Sequence, residues 1–289
     1  MDARAAIETL ARPPRATIAS ITPSGNTVVE RVTAAILASF PEVSAHFSRT
    51  PVHGDHDPFP DGYDLEGMLG AAALLGHIHP SVIVWNGSKA GAIDFALDHD
   101  LVRRITALTG VPATTSILAL DEILRADGVR RFGLVSPYDR KYQDRIVRAF
   151  AAAGYECVGA SCAGLSDNLS FAAVEPARIA AMAREVAAAK PAVIVTFCTN
   201  FMAAPVVPAI EAEHGVPVYD VTRAVHSVNA GSPGSRTSSV RGMVSTVIGA
   251  VRVTGDSQPQ HMATVGSDAA LRVPLPHVRR HLRGASPDE

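Results

Sequence analysis

The chain has 289 residues, 47% apolar and 19% charged, a balance that excludes a disordered polymer and is long enough for two domains with proper cores. A net charge of -2 argues against a nucleic-acid or membrane-surface partner, and no apolar run approaches the roughly 20 residues of a membrane span. Residues 1–15 carry charges and prolines but no hydrophobic signal core, and Cys157, Cys162 and Cys198 form no Cys-x-x-Cys pair, so free thiols in a cytoplasmic protein are expected.

Residues 1–14 read as a loose N-terminal segment. A short strand over 17–22 runs into Pro23-Ser24-Gly25-Asn26-Thr27, a tight loop, and a helix follows over 27–40. Residues 43–49 alternate like a strand, and 55–61 is an Asp-, His- and Pro-containing loop. A helix is expected over 65–75, a strand over 82–85, and a helix over 92–109 that stops at Gly110-Val111-Pro112. Another helix covers 115–126. The strand 132–135 leads to Ser136-Pro137-Tyr138, and helix 141–153, strand 156–159, helix 175–189, strand 193–196 and strand 216–219 follow. Residues 229–239 are rich in Gly, Ser and Pro and read as a flexible loop, 241–253 fits either a helix or a strand, and 254–289 reads as a tail. Alternating strands and helices imply parallel sheets, which bind ligands beyond the carboxyl ends of their strands. The expected organisation is α/β, with a first domain over 15–115 completed by 223–253 and a second over 116–222.

One stretch occurs twice. Pro80-Ser81-Val82-Ile83-Val84-Trp85-Asn86-Gly87-Ser88 matches Pro191-Ala192-Val193-Ile194-Val195-Thr196-Phe197-Cys198-Thr199. Each copy is a β-branched run of the kind that fills a buried parallel strand, and each ends on a small residue followed by a hydroxyl residue. Gly87 and Cys198 therefore hold equivalent places in two similar halves that face one cleft.

The informative loops all lie at strand ends. Ser24-Gly25-Asn26-Thr27 fits a turn with a helix cap as well as a binding loop. Asn86-Gly87-Ser88 fits a turn, Tyr138 fits a half-buried side chain, and Asp167-Asn168 fits an ordinary loop. Cys198-Thr199-Asn200 reads as the start of a helix, a setting that lowers a thiol pKa, so Cys198 is expected to react ahead of Cys157 and Cys162. His53, His56, His77 and His79 raise the question of a metal, but their Asp and Pro neighbours read as a solvated loop. There is no Gly-x-Gly-x-x-Gly, no P-loop and no zinc spacing.

Taken in order, Pro23-Ser24-Gly25-Asn26-Thr27, Gly110 to Ser116, Gly133 to Tyr138, Asp167-Asn168 and Phe197 to Asn200 resemble the aspartate/glutamate racemase superfamily, in its maleate isomerase and arylmalonate decarboxylase branch. The resemblance spans residues 17–223. It implies two pseudo-symmetric α/β domains, each with a central four-stranded parallel sheet, and a site between them that needs no cofactor and no metal and acts on a carbon next to a carboxylate. Racemases and maleate isomerases of the family use one cysteine from each half. Here Cys198 matches the second and Gly87 stands at the first, as in arylmalonate decarboxylases, although only Ser88 is kept of their hydroxyl residues and Lys89 follows it.

The resemblance thus implies a decarboxylase with Cys198, Tyr138 and Ser88 as catalytic groups. Ser88, Tyr138 and the backbone near Thr199 and Asn200 would hold a carboxylate, Cys198 would protonate the carbanion, and Asn26, Gly87 and Asn168 would shape substrate binding. A thiol restored at Gly87 is expected to add slow racemisation. The alternatives are a maleate-type or racemase-type isomerase and a non-catalytic carboxylate binder. The expected partner is a small carboxylate or dicarboxylate, with no nucleic acid or membrane, in a possible homo-oligomer.

Overall fold

Short runs of Val, Ile and Ala make the strands, and their pairing sorts them into two sheets of the same design. A computed structural model describes residues 7, 11, 13–53 and 57–224. Strands β1 (Ala16–Pro23), β2 (Val43–Thr50), β3 (Val82–Trp85) and β4 (Ala113–Thr115) form a parallel sheet in the order β2-β1-β3-β4. Strands β5 (Arg131–Tyr138), β6 (Glu156–Leu165), β7 (Val193–Thr196) and β8 (Val218–Asp220) form the second, β6-β5-β7-β8. Each order is the other's repeat, so β3 and β7 are equivalent inner strands. The register places Trp85 beside Ile21 and Thr196 beside Val135. One residue on, the Asn86 N–H donates to the Ile21 carbonyl and the Phe197 N–H to the Val135 carbonyl, each at 2.8 Å. Gly87 and Cys198 follow at equivalent points, as the internal repeat implies.

The crossover helices cover the sheets with apolar stripes. Helix α1 (Val29–Leu37) buries Val29, Val32, Thr33 and Ile36, a spacing that keeps one face inward. Helices α2 (Leu65–Gly76) and α3 (Ala96–Thr109) pack with Ile21, Ile83 and Trp85 in the first half. Helices α4 (Ser116–Ala126) and α5 (Arg140–Ala152) share a core with Phe132 and Phe197. Asp64, Thr115 and Asp139 cap α2, α4 and α5 through the N–H groups of Gly67, Leu118 and Tyr142. Helices α6 (Asn168–Ala172), α7 (Pro176–Ala187), α8 (Val207–His214) and α9 (Val221–Ala224) complete the described chain.

The two halves share apolar surface. Ala92 and Phe95 of the first join Phe132, Phe150 and Phe197 of the second in one cluster. Glycine is required where they meet, because a Cβ on Gly91 would stand 2.6 Å from Phe197 Cζ and 2.9 Å from Ile117 Cδ1.

Several elements differ from those expected. Between the helix stop at Gly110-Val111-Pro112 and the next helix lies β4, three residues whose strand character comes from pairing Ala113 with Ile83, a contact that local periodicity does not record. The helix expected over 92–109 divides into a 3-10 turn, Lys89–Ala92, and α3. Strand β5 carries Ser136, Pro137 and Tyr138 within the sheet, with register shifts against β6. No helix starts at Cys198. A turn follows it, closed by the Phe201 N–H to the Cys198 carbonyl, and Pro205 and Pro208 sit at the first turns of the 3-10 segment Ala204–Val206 and of α8. The loop expected over 229–239, the element over 241–253 and the tail over 254–289 lie outside the described residues, as does His56.

Candidate active site

The ends of β1, β3, β5 and β7, with the segments that follow β2 and β6, surround a cavity of about 190 Å³. A pocket beyond the carboxyl ends of parallel strands is where such sheets bind ligands. Asn26, Gly87, Ser88, Tyr138, Asn168, Cys198 and Thr199, all expected site residues, line it together. The first three come from one half and the last four from the other. Sequence reasoning did not find Trp85, Tyr142, Leu165 or Phe171, whose apolar surfaces make much of the wall. Tyr142 lies in the first turn of α5, four residues after Tyr138 at the end of β5, and Phe171 three residues after Asn168 in α6, so closeness in the chain to an expected residue was the available signal.

Cys198 sits in strained backbone, with φ at +135°, a region that residues bearing a Cβ rarely adopt. It is only 4% exposed. The tight turn after β7 holds this conformation and sets the Asn200 N–H 3.3 Å from the sulfur. Burial pushes the Cys198 thiol up to about 12, against hydrogen bonds from Tyr138 and the Asn200 N–H that pull it down. This reverses the expectation of a lowered pKa. The helix dipole that would have stabilised a thiolate is absent at this turn, and desolvation outweighs the two donors. Cys198 is therefore a thiol at neutral pH, and a poor target for alkylation beside the half-buried Cys157 and Cys162.

Tyr138 faces this thiol and also meets Ser88, with 3.4 Å between hydroxyl oxygens. Burial raises the phenol well above its ordinary range, so it stays protonated and available as a donor. Ser88, Tyr138 and Cys198 thus form one line of exchangeable protons across the cavity. The N–H groups of Gly87, Ser88 and Thr199 donate to nothing among the described residues.

The loops behind this line are tied to each other. Asn26 uses its carbonyl oxygen to accept from the N–H groups of Val28 and Val29 at the start of α1, and its Nδ2 donates to Thr199 Oγ1 at 3.2 Å. One end of the amide thus closes the turn into α1 and the other ties the loop to Thr199 in the opposite half. Asn200 differs from expectation. It is 1% exposed and does not line the cavity. Its Nδ2 donates to the Asn168 carbonyl at 2.5 Å and to Gly25 at 3.4 Å, and its Oδ1 accepts from the Thr27 N–H at 2.9 Å. Its own N–H is spent on Cys198, so Asn200 staples three loops and holds nothing in the cavity.

Lys89 lines the cavity, and its ammonium pairs with Asp57 and donates to the carbonyls of Phe59 and Gly62, the latter at 2.9 Å. Three acceptors occupy its three protons. Burial lowers its pKa against the opposing pull of Asp57. Arg145 holds the same loop through Asp61 at 2.7 Å and lies 5.6 Å above the Tyr142 ring. His53 lines the cavity, whereas His77 and His79 stand between α2 and β3, and no group of three His, Cys, Asp or Glu able to hold a metal occurs among the described residues. No helix among those residues is long and apolar enough to cross a membrane.

Residues 91–234 match the family model for arylmalonate decarboxylase. The chain is 26% identical to a maleate isomerase of Nocardia farcinica over 218 residues, 72% of this chain and 86% of that protein. Two solved structures are similar in fold. The maleate isomerase of Pseudomonas putida superposes with a TM-score of 0.63 at 20% identity, covering 72% of this chain and 89% of its own. Unliganded arylmalonate decarboxylase does so with a TM-score of 0.60 at 24% identity, covering 74% and 89%.

Proposed function

We propose that the chain is a member of the branch of the aspartate/glutamate racemase superfamily that holds arylmalonate decarboxylases and maleate isomerases, enzymes that act as lyases or isomerases without a cofactor, and that it is the lyase, a decarboxylase of malonate-like acids. The observation that carries this reading is the single, protonated thiol in the cavity. Addition to a double bond needs a thiolate, and two-base racemisation needs a second acid/base group opposite the first. Cys198 is held as an acid by burial, and Gly87 offers no thiol. A buried acid is in the right form to protonate a carbanion.

In the proposed reaction a substrate carboxylate accepts hydrogen bonds from Ser88, Tyr138 and the backbone N–H groups of Ser88 and Thr199. The second carboxylate lies against the apolar wall of Phe171, Leu165 and Tyr142. The bond between it and the α-carbon breaks, carbon dioxide leaves, and the electron pair stays on the α-carbon, delocalised into the held carboxylate as an enediolate. Donors set for that growing charge are the largest expected contribution to the rate. The Cys198 S–H proton then moves to the α-carbon from one side, and the thiolate left behind recovers a proton from solvent. Asn26 and Asn168 orient the substrate at the two rims. A small carboxylate ligand and a cytoplasmic place belong to the same reading.

The test is a screen of purified protein against phenylmalonate, alkenyl malonates and maleate. Release of carbon dioxide from a malonate, with one product enantiomer in excess, is expected. Conversion of maleate to fumarate without decarboxylation would replace the lyase with the isomerase, and saturable binding without turnover of any acid would make the chain a carboxylate binder.

A further inference from the structure

Trp85 stands two residues before Gly87, and Thr196 stands two residues before Cys198. The sheet registers make these pairs equivalent. A Cβ built on Gly87 would collide with the Trp85 indole, meeting Cζ2 and coming 2.5 Å from Cε2 and 2.9 Å from Cη2. In the second half the small Thr196 turns its hydroxyl to Asp220 at 2.8 Å and leaves the Cys198 side chain its place. The indole is also fixed. Its Nε1 donates to the Tyr63 hydroxyl at 3.2 Å, that oxygen accepts again from the Ala90 N–H at 3.2 Å, and it donates to Asp98 Oδ1 at 2.5 Å. The Thr115 hydroxyl donates to the other Asp98 oxygen. Every hydrogen-bonding site of the Tyr63 hydroxyl is thus used, and a displaced indole would leave a buried oxygen short of a partner.

We propose that Trp85 is the specificity-determining residue of the first half: its indole occupies the place a side chain at position 87 would need, and presents a flat apolar wall to the face of the ligand opposite Cys198. Such a wall suits a ligand that is planar and conjugated around its α-carbon, which can lie face-on between the indole and the thiol. It closes that face to any proton donor, whether a residue or water. The ligand class rests on the lyase reading above, whereas the steric claim does not. It also corrects the expectation for a thiol at position 87, because Gly87→Cys by itself has no room for its Cβ.

A stability cycle tests the steric claim without any need for turnover. Gly87→Ala in the otherwise natural chain is expected to lower the melting temperature by roughly 2–10 °C, the range for overpacking a core by one methyl group in a chain of this size. In a Trp85→Thr background, or Trp85→Leu where a better core filler is needed to keep the fold, the same change should cost less than half as much. Equal losses in both backgrounds would overturn the proposal. Trp85 is the only tryptophan in the chain, so its emission reads the wall directly. Phenylacetate should shift that emission saturably in both the natural protein and Cys198→Ala. Calorimetric binding of phenylacetate with unchanged emission would remove Trp85 from the ligand wall. A positive cycle and emission shift in a protein that decarboxylates nothing would leave the wall standing and refute the lyase alone.

Discussion

At the end of β7, Thr196 gives its hydroxyl to Asp220, and Cys198 turns into the cavity through strained backbone. At the end of β3, Trp85 fills the space over Gly87 and hangs on Tyr63. The backbone bonds on either side are the same, down to the 2.8 Å donation from Asn86 to Ile21 and from Phe197 to Val135. The two halves therefore keep one frame, and on the proposed reading they divide the chemistry, with the second half supplying the acid and the first a wall. The difference shows that a vacant catalytic position is defined by its neighbours as well as by its own residue. Glycine at 87 removes a thiol, and tryptophan at 85 removes the room for one.

The sharpest way to break this division is to remove the acid. Cys198→Ala should lower decarboxylation by about 10²–10⁴-fold while phenylacetate binding persists, since proton transfer contributes on that scale and the carboxylate donors remain. Activity within tenfold of the natural protein would mean that the proton comes from elsewhere. Tyr138→Phe keeps the ring but takes away the donor between Ser88 and Cys198, and should raise the barrier by about 2–4 kcal/mol. An unchanged rate in a variant with native circular dichroism would remove Tyr138 from the reaction.

Asp98 sharpens the other side of the comparison. Burial lifts its carboxyl to about 6 from 3.8, against the hydrogen bonds from Thr115 and Tyr63 that oppose the rise. A carboxyl with a raised folded pKa stabilises the fold fully below 3.8, and that contribution is lost as pH climbs through about 6. At 1.36 kcal/mol per unit the shift corresponds to about 3 kcal/mol at most. Denaturant midpoints of the natural protein should therefore lose stability between those two pH values relative to Asp98→Asn, whose profile should be flatter there. Parallel profiles would show that the network behind Trp85 does not titrate in this window.

The smallest effect is one of order. At pH 8, iodoacetamide should reach Cys157 and Cys162 before Cys198, because the Cys198 thiol is buried and its folded pKa is about 12. Above pH 9 the unfolded thiol ionises while the folded one does not, so stability should fall as pH rises toward 12 and Cys198 labelling should follow unfolding. Faster labelling of Cys198 than of the other two by peptide mapping at pH 8 would defeat this account.

Local pattern and the internal repeat were enough to reveal the strands 82–85 and 193–196, the equivalence of Gly87 and Cys198, and the two-sheet α/β architecture, because buried parallel strands write their burial as continuous β-branched runs. The family resemblance grouped Asn26, Ser88, Tyr138, Asn168, Cys198 and Thr199, and all six line one cavity because each stands at or just after a strand end and strand ends converge. Tertiary structure decided the rest. The three-residue strand β4 exists only through its pairing with β3. Asn200 became a staple because three loops meet around its amide. The pKa of Cys198 was set by desolvation, a property of everything packed around the sulfur. Trp85 acquired its role from lying across Gly87 within the folded half, a contact between side-chain volume and missing Cβ that residue identity alone does not contain.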